Sequence, residues 1–120
     1  MKVREGSPPL VGPPLAGPLL LARLEALANL HRLRIVAALA VNGRNYVSQL
    51  AREVGISRPL LHLHLKRLQE AGLVTSRLEL SGDGKALNYF DVTDFAITLT
   101  PQTIAGAAPS LDAATTIPRH

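Results

Sequence analysis

The segment from residue 47 to residue 67 constrains the fold more than any other part of the sequence. It reads VSQLAREVGISRPLLHLHLKR, and its small and apolar residues have the spacing that two short helices need when they cross steeply over a tight turn. Ala51 is small where the second helix passes over the first, and Gly55 can adopt the positive φ needed just beyond a helix end. Ser57 is a suitable N-cap, and Pro59 is tolerated in the first turn that follows. Together these features predict a helix-turn-helix.

The second helix of this unit has an apolar side and a polar side. Leu61, Leu65 and Leu68 lie at i, i+4 and i+7, so they should face the core. In a helix-turn-helix, the second helix enters the major groove of DNA and presents its outward side chains to bases and phosphates. We expect the recognition helix, residues 57–71, to act in this way together with two polar residues of the preceding helix. The expected DNA-contacting residues of the two helices are Ser48, Gln49, Ser57, Arg58, Pro59, His62, Leu63, Lys66 and Arg67.

These residues are expected to contribute differently to DNA binding. Arg58 lies near the amino end of the recognition helix, where its guanidinium can bond bidentately to O6 and N7 of guanine. His62 can donate a hydrogen bond to a base or a phosphate, and Leu63 can contact a thymine methyl group. Lys66 and Arg67 are expected to contact phosphates, which adds affinity and salt dependence rather than sequence preference. An ordinary solvated face is the alternative for these last two cations.

Apolar and polar residues alternate with a period of two after the recognition helix. The alternation covers residues 73–80 and resumes at residues 86–92, and the residues between are rich in Gly, Ser and Asp. This pattern predicts a β-hairpin, or wing, over residues 73–92 with a glycine-rich tip. Arg77 and Lys85 are the wing residues that we expect to contact DNA, and two nearby carboxylates should weaken that contact.

Two helices are predicted before this unit. The first begins near Pro18. The leucines that share one of its faces are Leu20, Leu24 and Leu27. The second helix covers residues 30–41, with Asn29 as its N-cap and Asn42-Gly43 as its end. The apolar residues on one side of it are Leu33, Val36, Ala37 and Ala40.

The sequence is expected to form one domain between an arm and a tail. Residues 1–17 are rich in Pro and Gly and should form a flexible, extended arm. We expect residues 18–98 to form the domain that contains the helices and the wing. In residues 99–120, we expect Thr100 to cap a short helix that ends at Ala105, followed by a flexible, frayed tail.

The composition restricts the class of protein and of partner. The 120 residues contain 13 Lys and Arg against 9 Asp and Glu, a formal net charge of +4 that permits an anionic partner. The absence of cysteine excludes a disulfide scaffold, a catalytic thiol and a thiolate metal site. No stretch approaches the ~20 apolar residues of a membrane span, and the sequence has no recognisable catalytic motif. We therefore expect a cytoplasmic protein that is not an enzyme and does not bind a membrane.

Three runs of the sequence carry a family resemblance. They are LANLHRLRIVAAL at residues 27–39, the helix-turn-helix with its continuation HLKRLQEAGLV at residues 64–74, and the wing. These runs resemble the ArsR-type (arsenic-repressor-like) winged helix-turn-helix regulators, and the resemblance covers residues 18–98. It implies a homodimer, joined through the first helix and the carboxy-terminal segment, that binds a palindromic operator in double-stranded DNA. It also implies a repressor that releases DNA when an effector binds. Whether that effector is a small molecule or a protein is left open.

The metal sites that the resemblance implies have no matching ligands in this sequence. The family's thiolate site falls on residues 45–48, which read NYVS and contain no sulfur. Its other site needs Asp and His on the last helix, and no His stands near Asp91 or Asp94. His62 and His64 are about 200° apart on a helix and cannot share a metal. His64 lies at the edge of the inward leucine side of the recognition helix, so it is expected to be a packed, hydrogen-bonded histidine. We therefore expect no metal and no cofactor.

The predicted fold is mainly α with a β-hairpin wing, a dimeric winged helix-turn-helix. The leucines of the first helix are expected to form most of the dimer contact. The predicted function is sequence-specific DNA binding by a transcriptional regulator, a homodimeric repressor on an inverted-repeat operator. The alternative is a winged-helix module that binds a protein and not DNA. Leu60 and Leu63, together with the modest net charge, favour this alternative, because exposed apolar patches mark protein contacts.

Overall fold

The computed structural model describes residues 15–115, in which it contains five helices and three strands. In chain order they are α1 (Gly17–Leu27), α2 (Leu30–Asn42), β1 (Asn45–Tyr46), α3 (Val47–Val54), α4 (Arg58–Glu70), β2 (Val74–Leu80), β3 (Ala86–Val92) and α5 (Pro101–Thr115). Most of the predicted arm, residues 1–14, and the end of the predicted tail, residues 116–120, lie outside the described residues. Over the described residues, no helix combines the length and the apolar character that crossing a membrane requires.

The chain divides into two compact units, of which the larger is Ala22–Asp94. Its core is formed by side chains from α2, α3, α4 and the residue before β2. The largest fully buried side chains are Ile35, Leu39, Leu50, Leu61, Leu65, Leu68 and Leu73. Full burial of a Leu or Ile side chain contributes about 1.5–3 kcal/mol. The three buried leucines of α4 therefore determine which side of that helix faces outward.

Helix α2 has the predicted ends but packs through a different side. The Asn29 side chain accepts a hydrogen bond from a backbone N–H of the first turn, at 3.1 Å, and Gly43 ends the helix with a φ of 85°. The apolar side identified in the sequence is largely exposed, and Leu33 is 52% exposed. Ile35 and Leu39 are buried instead. An alanine-rich helix offers two apolar sides, and periodicity alone does not identify the one that packs.

The turn between α3 and α4 has the geometry that the sequence predicts. Gly55 is left-handed, with φ of 82° and ψ of 35°, and its N–H donates to the carbonyl of Ala51 at 2.8 Å. The Ser57 hydroxyl caps α4 by accepting from Leu60 N at 3.3 Å, and Pro59 lies in the first turn. A left-handed φ costs a residue with a Cβ about 1–2 kcal/mol, which explains why glycine stands at this corner. The helix-turn-helix is therefore confirmed.

The wing belongs to a three-stranded antiparallel sheet with the order β1-β3-β2. Strands β2 and β3 pair along their full length, which confirms the predicted hairpin. Strand β1 also pairs with β3 and has only two residues, too few to show a period in the sequence. Phe90 is buried at the base of the sheet, whereas Leu78 and Leu80 are 69% and 76% exposed. The outer half of the hairpin therefore projects from the core.

The smaller unit contains the start of α1 and helix α5. Thr100 caps α5, since its Oγ1 accepts from Thr103 N at 3.0 Å. The expectation that this helix ends at Ala105 is wrong, because the helix continues to Thr115. Alanine is the strongest helix former, and the alanine-rich segment stays helical although Pro109 removes one intrahelical hydrogen bond. The predicted tail is therefore helical over its whole described length, residues 106–115.

The beginning of α1 lies very close to α5. Gly17 N donates to Ser110 Oγ at 2.7 Å, and a Cβ built on Gly17 would overlap Leu111 Cγ and lie 2.7 Å from the backbone carbonyl oxygen of Ala107. A contact of that length is repulsive, so this approach requires glycine. Within the smaller unit, the absence of a side chain at Gly17 sets the distance between the two helices.

Candidate nucleic-acid interface

Helix α4 has a buried side and an exposed side, as predicted. Its buried side chains are Leu61, His64, Leu65 and Leu68. The exposed side chains on the opposite side include Arg58, Pro59, His62, Leu63, Lys66 and Arg67. In the isolated chain, the outer side of α4 is thus accessible to a large partner.

The charges on α4 favour an anionic partner. Arg58, Lys66 and Arg67 are its cations, and Glu70 at its last position is its one carboxylate. The amino end adds the partial positive charge of the helix dipole, with no acidic residue in the first turn. Arg58 and Arg67 are separated by about 14 Å along the axis at 1.5 Å per residue, and the major groove is ~12 Å wide. The cations therefore span a distance comparable with the width of that groove.

The remaining predicted contact residues lie on α3 and on the wing. Ser48 and Gln49 occupy the first turn of α3 and are half-buried. Arg77 on β2 and Lys85 at the tip of the hairpin are exposed. All four belong to the larger unit, together with α4.

The wing carries almost balanced charge. Its cations are Arg77 and Lys85, and its carboxylates are Glu79, Asp83 and Asp91. At the tip, the Ser81 hydroxyl donates to Asp83 Oδ1, which lowers the pKa of that carboxyl. Lys85 N also donates to Asp83 Oδ1, at 3.2 Å. An ionised carboxylate therefore stands beside the tip cation and weakens its attraction for phosphate.

Arg44 is a cation next to the wing that the sequence analysis missed. It forms an ion pair with Glu79, and the hydrogen bond in this pair lowers the pKa of Glu79. The Arg44 guanidinium carbon lies 4.6 Å from the centre of the Tyr89 ring. Arg44 and Tyr89, together with Arg77 and Asp91, line an open cleft of about 220 Å³. The contact arises from the pairing of β1 with β3, so no local signal in the sequence could have revealed it.

His64 lies on the buried side of α4, as the packed histidine that the sequence predicts. Its side chain is almost fully buried, and its Nδ1 lies 3.1 Å from Arg32 Nη1. Burial, and then the neighbouring Arg32 and His31, lower the pKa of His64. His62 is exposed on the other side of the helix. Within residues 15–115, no group of three or more His, Cys, Asp or Glu side chains is arranged to hold a metal ion.

The leucines predicted to form the dimer contact differ in burial within a single chain. Leu20 is 7% exposed, whereas Leu24 and Leu27 are half-buried. Leu20 therefore has little surface left for a partner. Leu19 and Leu21 on the same helix are 39% and 47% exposed.

Comparison with known proteins relates this geometry to regulators of transcription. Residues 31–76 match the family described as bacterial regulatory protein, arsR family. A relative from Methanocaldococcus jannaschii, the "uncharacterized HTH-type transcriptional regulator MJ0229", is 37% identical over 71 residues, which cover 59% of this chain and 73% of that protein. The family match over residues 31–76 includes the helix-turn-helix and the start of the wing.

Solved structures share the fold. The transcriptional regulator HlyU from Vibrio vulnificus is similar with a TM-score of 0.51 and 26% identity, over 78% of this chain and 84% of that one. A homodimeric winged helix-turn-helix DNA-binding domain from Mycobacterium bovis, described as a possible ArsR-family regulator, has a TM-score of 0.54 and 23% identity, over 82% and 80% of the chains. From the sequence match and the helix-turn-helix with its wing, we conclude that the chain belongs to the arsR family of winged helix-turn-helix transcriptional regulators.

Proposed function

We propose that two copies of this chain bind one inverted-repeat operator and repress transcription from it. The observation that carries this proposal is the exposed, cationic outer side of α4, which three buried leucines hold in place. Each α4 lies in a major groove, where Arg58 reads a guanine while Lys66 and Arg67 contact phosphates. A symmetric dimer reads two such grooves one helical turn, about 34–36 Å, apart.

The smaller unit supports dimerisation. Its described residues leave four large apolar side chains between 39% and 50% exposed. They are Leu19, Leu21, Leu99 and Ile104. A second copy that covers them gains about 25 cal/mol per Å² of apolar surface removed from water. Leu24 and Leu27 extend the proposed contact along α1, and the Mycobacterium bovis protein of the same fold is described as homodimeric.

Regulation in this proposal acts through the spacing of the two recognition helices. Both helices must reach their grooves at once, so a signal that changes their separation lowers the affinity of the dimer for the operator. The signal is a small molecule or a protein. We assign no metal sensor, because residues 45–48, where the family's thiolate ligands fall, contain no sulfur.

Selection of bound duplexes from a random DNA pool tests the proposal. The expected result is enrichment of an inverted repeat with half-site centres about 10 base pairs apart. The logarithm of the affinity for the selected duplex should then fall with the logarithm of the salt concentration, by about 0.9 for each phosphate contacted. A duplex with one half-site scrambled is the control and should bind more weakly. Failure to enrich any sequence, with a flat salt dependence, refutes the proposal.

Exposed leucines support a second candidate function, a winged-helix module that binds a protein and not DNA. Leu63 on the outer side of α4 is 64% exposed, and Leu78 and Leu80 on the wing are also exposed. Exposed apolar side chains of this size are unfavourably hydrated, and a protein partner that covers them removes this cost. The same titration separates the two functions, because protein recognition by leucines predicts weak DNA binding without a steep salt dependence.

A further inference from the structure

Arg32 connects three helices through one guanidinium group. It lies on α2, and its Nε donates to the carbonyl of Ala26 at 2.5 Å. Its Nη2 donates to the carbonyl of Glu25 at 3.4 Å, and its Nη1 donates to Nδ1 of His64 at 3.1 Å. Glu25 and Ala26 belong to α1, and His64 belongs to the recognition helix. Arg32 therefore links the carboxyl end of α1 to the middle of α4.

The contacts on α1 satisfy the end of that helix. The last four carbonyl groups of an α-helix have no partner within it. In α1, the carbonyls of Leu24 and Leu27 accept from backbone N–H groups just beyond the helix, whereas the carbonyl of Ala26 accepts from Arg32. A cation at this position also interacts favourably with the negative end of the helix dipole. Loss of the guanidinium would leave this helix end under-satisfied.

A second arginine strengthens the same junction. Arg23 on α1 donates from Nε to the carbonyl of Ala71, the C-cap residue of α4, at 3.0 Å. Helix α4 is thus bonded to α1 at its end directly and at its middle through Arg32. Two attachment points along one helix fix its tilt as well as its position. The direction in which the outer side of α4 points therefore depends on both arginines.

The bond to His64 requires a neutral imidazole. A guanidinium donates hydrogen bonds and cannot accept them, so Nδ1 of His64 carries no proton and the ring proton is on Nε2. Nε2 is buried and has no hydrogen-bond partner. A second proton on the ring would remove the acceptor and place a buried imidazolium against the half-buried guanidinium of Arg32.

The groups around His64 offer little compensation for a positive charge. On α2 it faces Arg32 and also His31, whose ring centre lies 5.4 Å from its own. An adjoining cleft of about 110 Å³ contains charges of both signs in equal number. The charged residues that line it are Glu25, Arg32, Arg67 and Glu70. Burial, Arg32 and His31 all lower the pKa of His64.

We propose that Arg32 is a positioning residue, which holds the recognition helix in its DNA-reading orientation only while His64 is neutral. Acidification breaks the bond between Arg32 and His64, loosens α4 from α1 and weakens DNA binding. This inference rests on the proposed role of α4 in DNA binding. The apparent dissociation constant rises in inverse proportion to the fraction of molecules that hold α4 correctly. A hydrogen bond to a charged group changes such an equilibrium by roughly ten- to a hundredfold.

NMR titration of the free protein tests the link without DNA. The side-chain nitrogen signals of His64 should report a proton on Nε2 and a pKa below the ordinary value of 6.5. Arg32→Gln should shift this pKa upward, because it removes the neighbouring charge. Arg34→Gln is the matched control, because Arg34 is an exposed residue of the same helix and its replacement removes the same charge. This variant should leave the pKa of His64 unchanged. The same His64 pKa in both variants overturns the proposal.

Titration of the selected operator duplex by fluorescence anisotropy tests the functional part, at about pH 7.5 and about pH 5.5. The unmodified chain is expected to lose affinity on acidification, by up to about tenfold for each protomer, because a His64 pKa below 6.5 limits the protonated fraction at about pH 5.5. His64→Asn keeps an acceptor at the Nδ1 position and cannot be protonated, so it should lose less. Arg32→Gln should bind weakly at both pH values, whereas Arg34→Gln should retain the acid-dependent loss. An equal loss in His64→Asn and in the unmodified chain overturns the proposal.

Two further measurements keep the outcome interpretable. Circular dichroism shows whether each variant remains helical at both pH values, and Arg32→Lys serves if Arg32→Gln does not fold. Lysine retains the charge, but its single ammonium group replaces the planar fork that donates from three different nitrogens to α1 and His64. The Arg32→Lys variant should therefore also bind DNA weakly. Absence of any DNA binding by the unmodified chain refutes the proposed function, while the NMR titration still decides whether Arg32 holds His64 neutral. If the chain binds DNA but acidification does not weaken that binding through His64, this inference is refuted and the proposed function is not.

Discussion

Replacement of Arg58 or Lys66 by alanine should separate the two kinds of DNA contact expected from α4. Both residues are exposed cations on the same helix. Neither change should alter the free energy of unfolding by more than about 0.5 kcal/mol. A difference between the variants in DNA affinity therefore reflects contacts in the complex and not the stability of the fold.

The expected magnitudes follow from the proposed dimer, in which each contact occurs twice. Lys66→Ala removes two phosphate contacts, so the log–log salt dependence should become shallower by about 1.8, at 0.9 for each phosphate. Arg58→Ala removes a base contact worth ~1–3 kcal/mol in each half-site. This corresponds to a loss of about 5- to 150-fold per half-site, with little change in the salt dependence. Lys66→Ala should thus change mainly the salt dependence of binding, whereas Arg58→Ala should change mainly the affinity.

The assay is fluorescence anisotropy over a series of salt concentrations, with the selected operator and with a scrambled duplex. Arg58→Ala should reduce the ratio between the two affinities, because it relaxes preference at one base pair. Lys66→Ala should weaken both duplexes alike and preserve the ratio. The assignment of Arg58 is wrong if its replacement changes neither affinity nor preference. The assignment of Lys66 is wrong if its replacement lowers the ratio.

The remaining predictions concern the stability of the fold, measured by urea denaturation. Leu68→Ala empties a fully buried position and should lower the free energy of unfolding by about 2–5 kcal/mol; a loss below 1 kcal/mol would contradict the packing described for α4. Gly55→Ala should cost about 1–2 kcal/mol from its left-handed φ alone, since a Cβ there meets nothing within 4 Å. Gly82→Ala is the control, because a Cβ at Gly82 also meets nothing within 4 Å and Gly82 has no positive φ. A similar loss of unfolding free energy in both variants would show that the positive φ of Gly55 does not cause the loss. The pKa of His64 is lower in the folded than in the unfolded chain, so the unfolded state takes up the proton first. The free energy of unfolding should therefore fall as the pH drops below 6.5 and level off below the folded pKa; His64→Asn should show a smaller fall, and an identical pH profile would contradict this reasoning.

The helix-turn-helix could be predicted because its signals are local. The small residue at Ala51, the left-handed Gly55 and the capping Ser57 lie within one turn of the corner that they form. The hairpin was equally accessible, because alternation and turn residues lie within one short segment. The outward side of α4 followed from the i, i+4 and i+7 leucines alone.

Features that depend on distant contacts could not be predicted in the same way. The packed side of α2 is decided by the helices around it, since Ile35 and Leu33 are both apolar and only the former is buried. The ion pair of Arg44 with Glu79 exists because β1 joins β3, and β1 is too short to carry a pattern. The bond from Arg32 to His64 joins residues 32 positions apart in the sequence. Helix–helix geometry creates these contacts, and local propensity does not encode them.

Balanced charge on the wing limits how strongly the proposed dimer holds unrelated DNA. Three carboxylates offset two cations there, and Arg44 is engaged with Glu79. Attraction to random sequence grows with the number of phosphates neutralised, and a chromosome offers about 10⁶–10⁹ such competing sites. Weak binding to each of these sites would leave more of the proposed repressor free, so that fewer copies would be needed to occupy one operator.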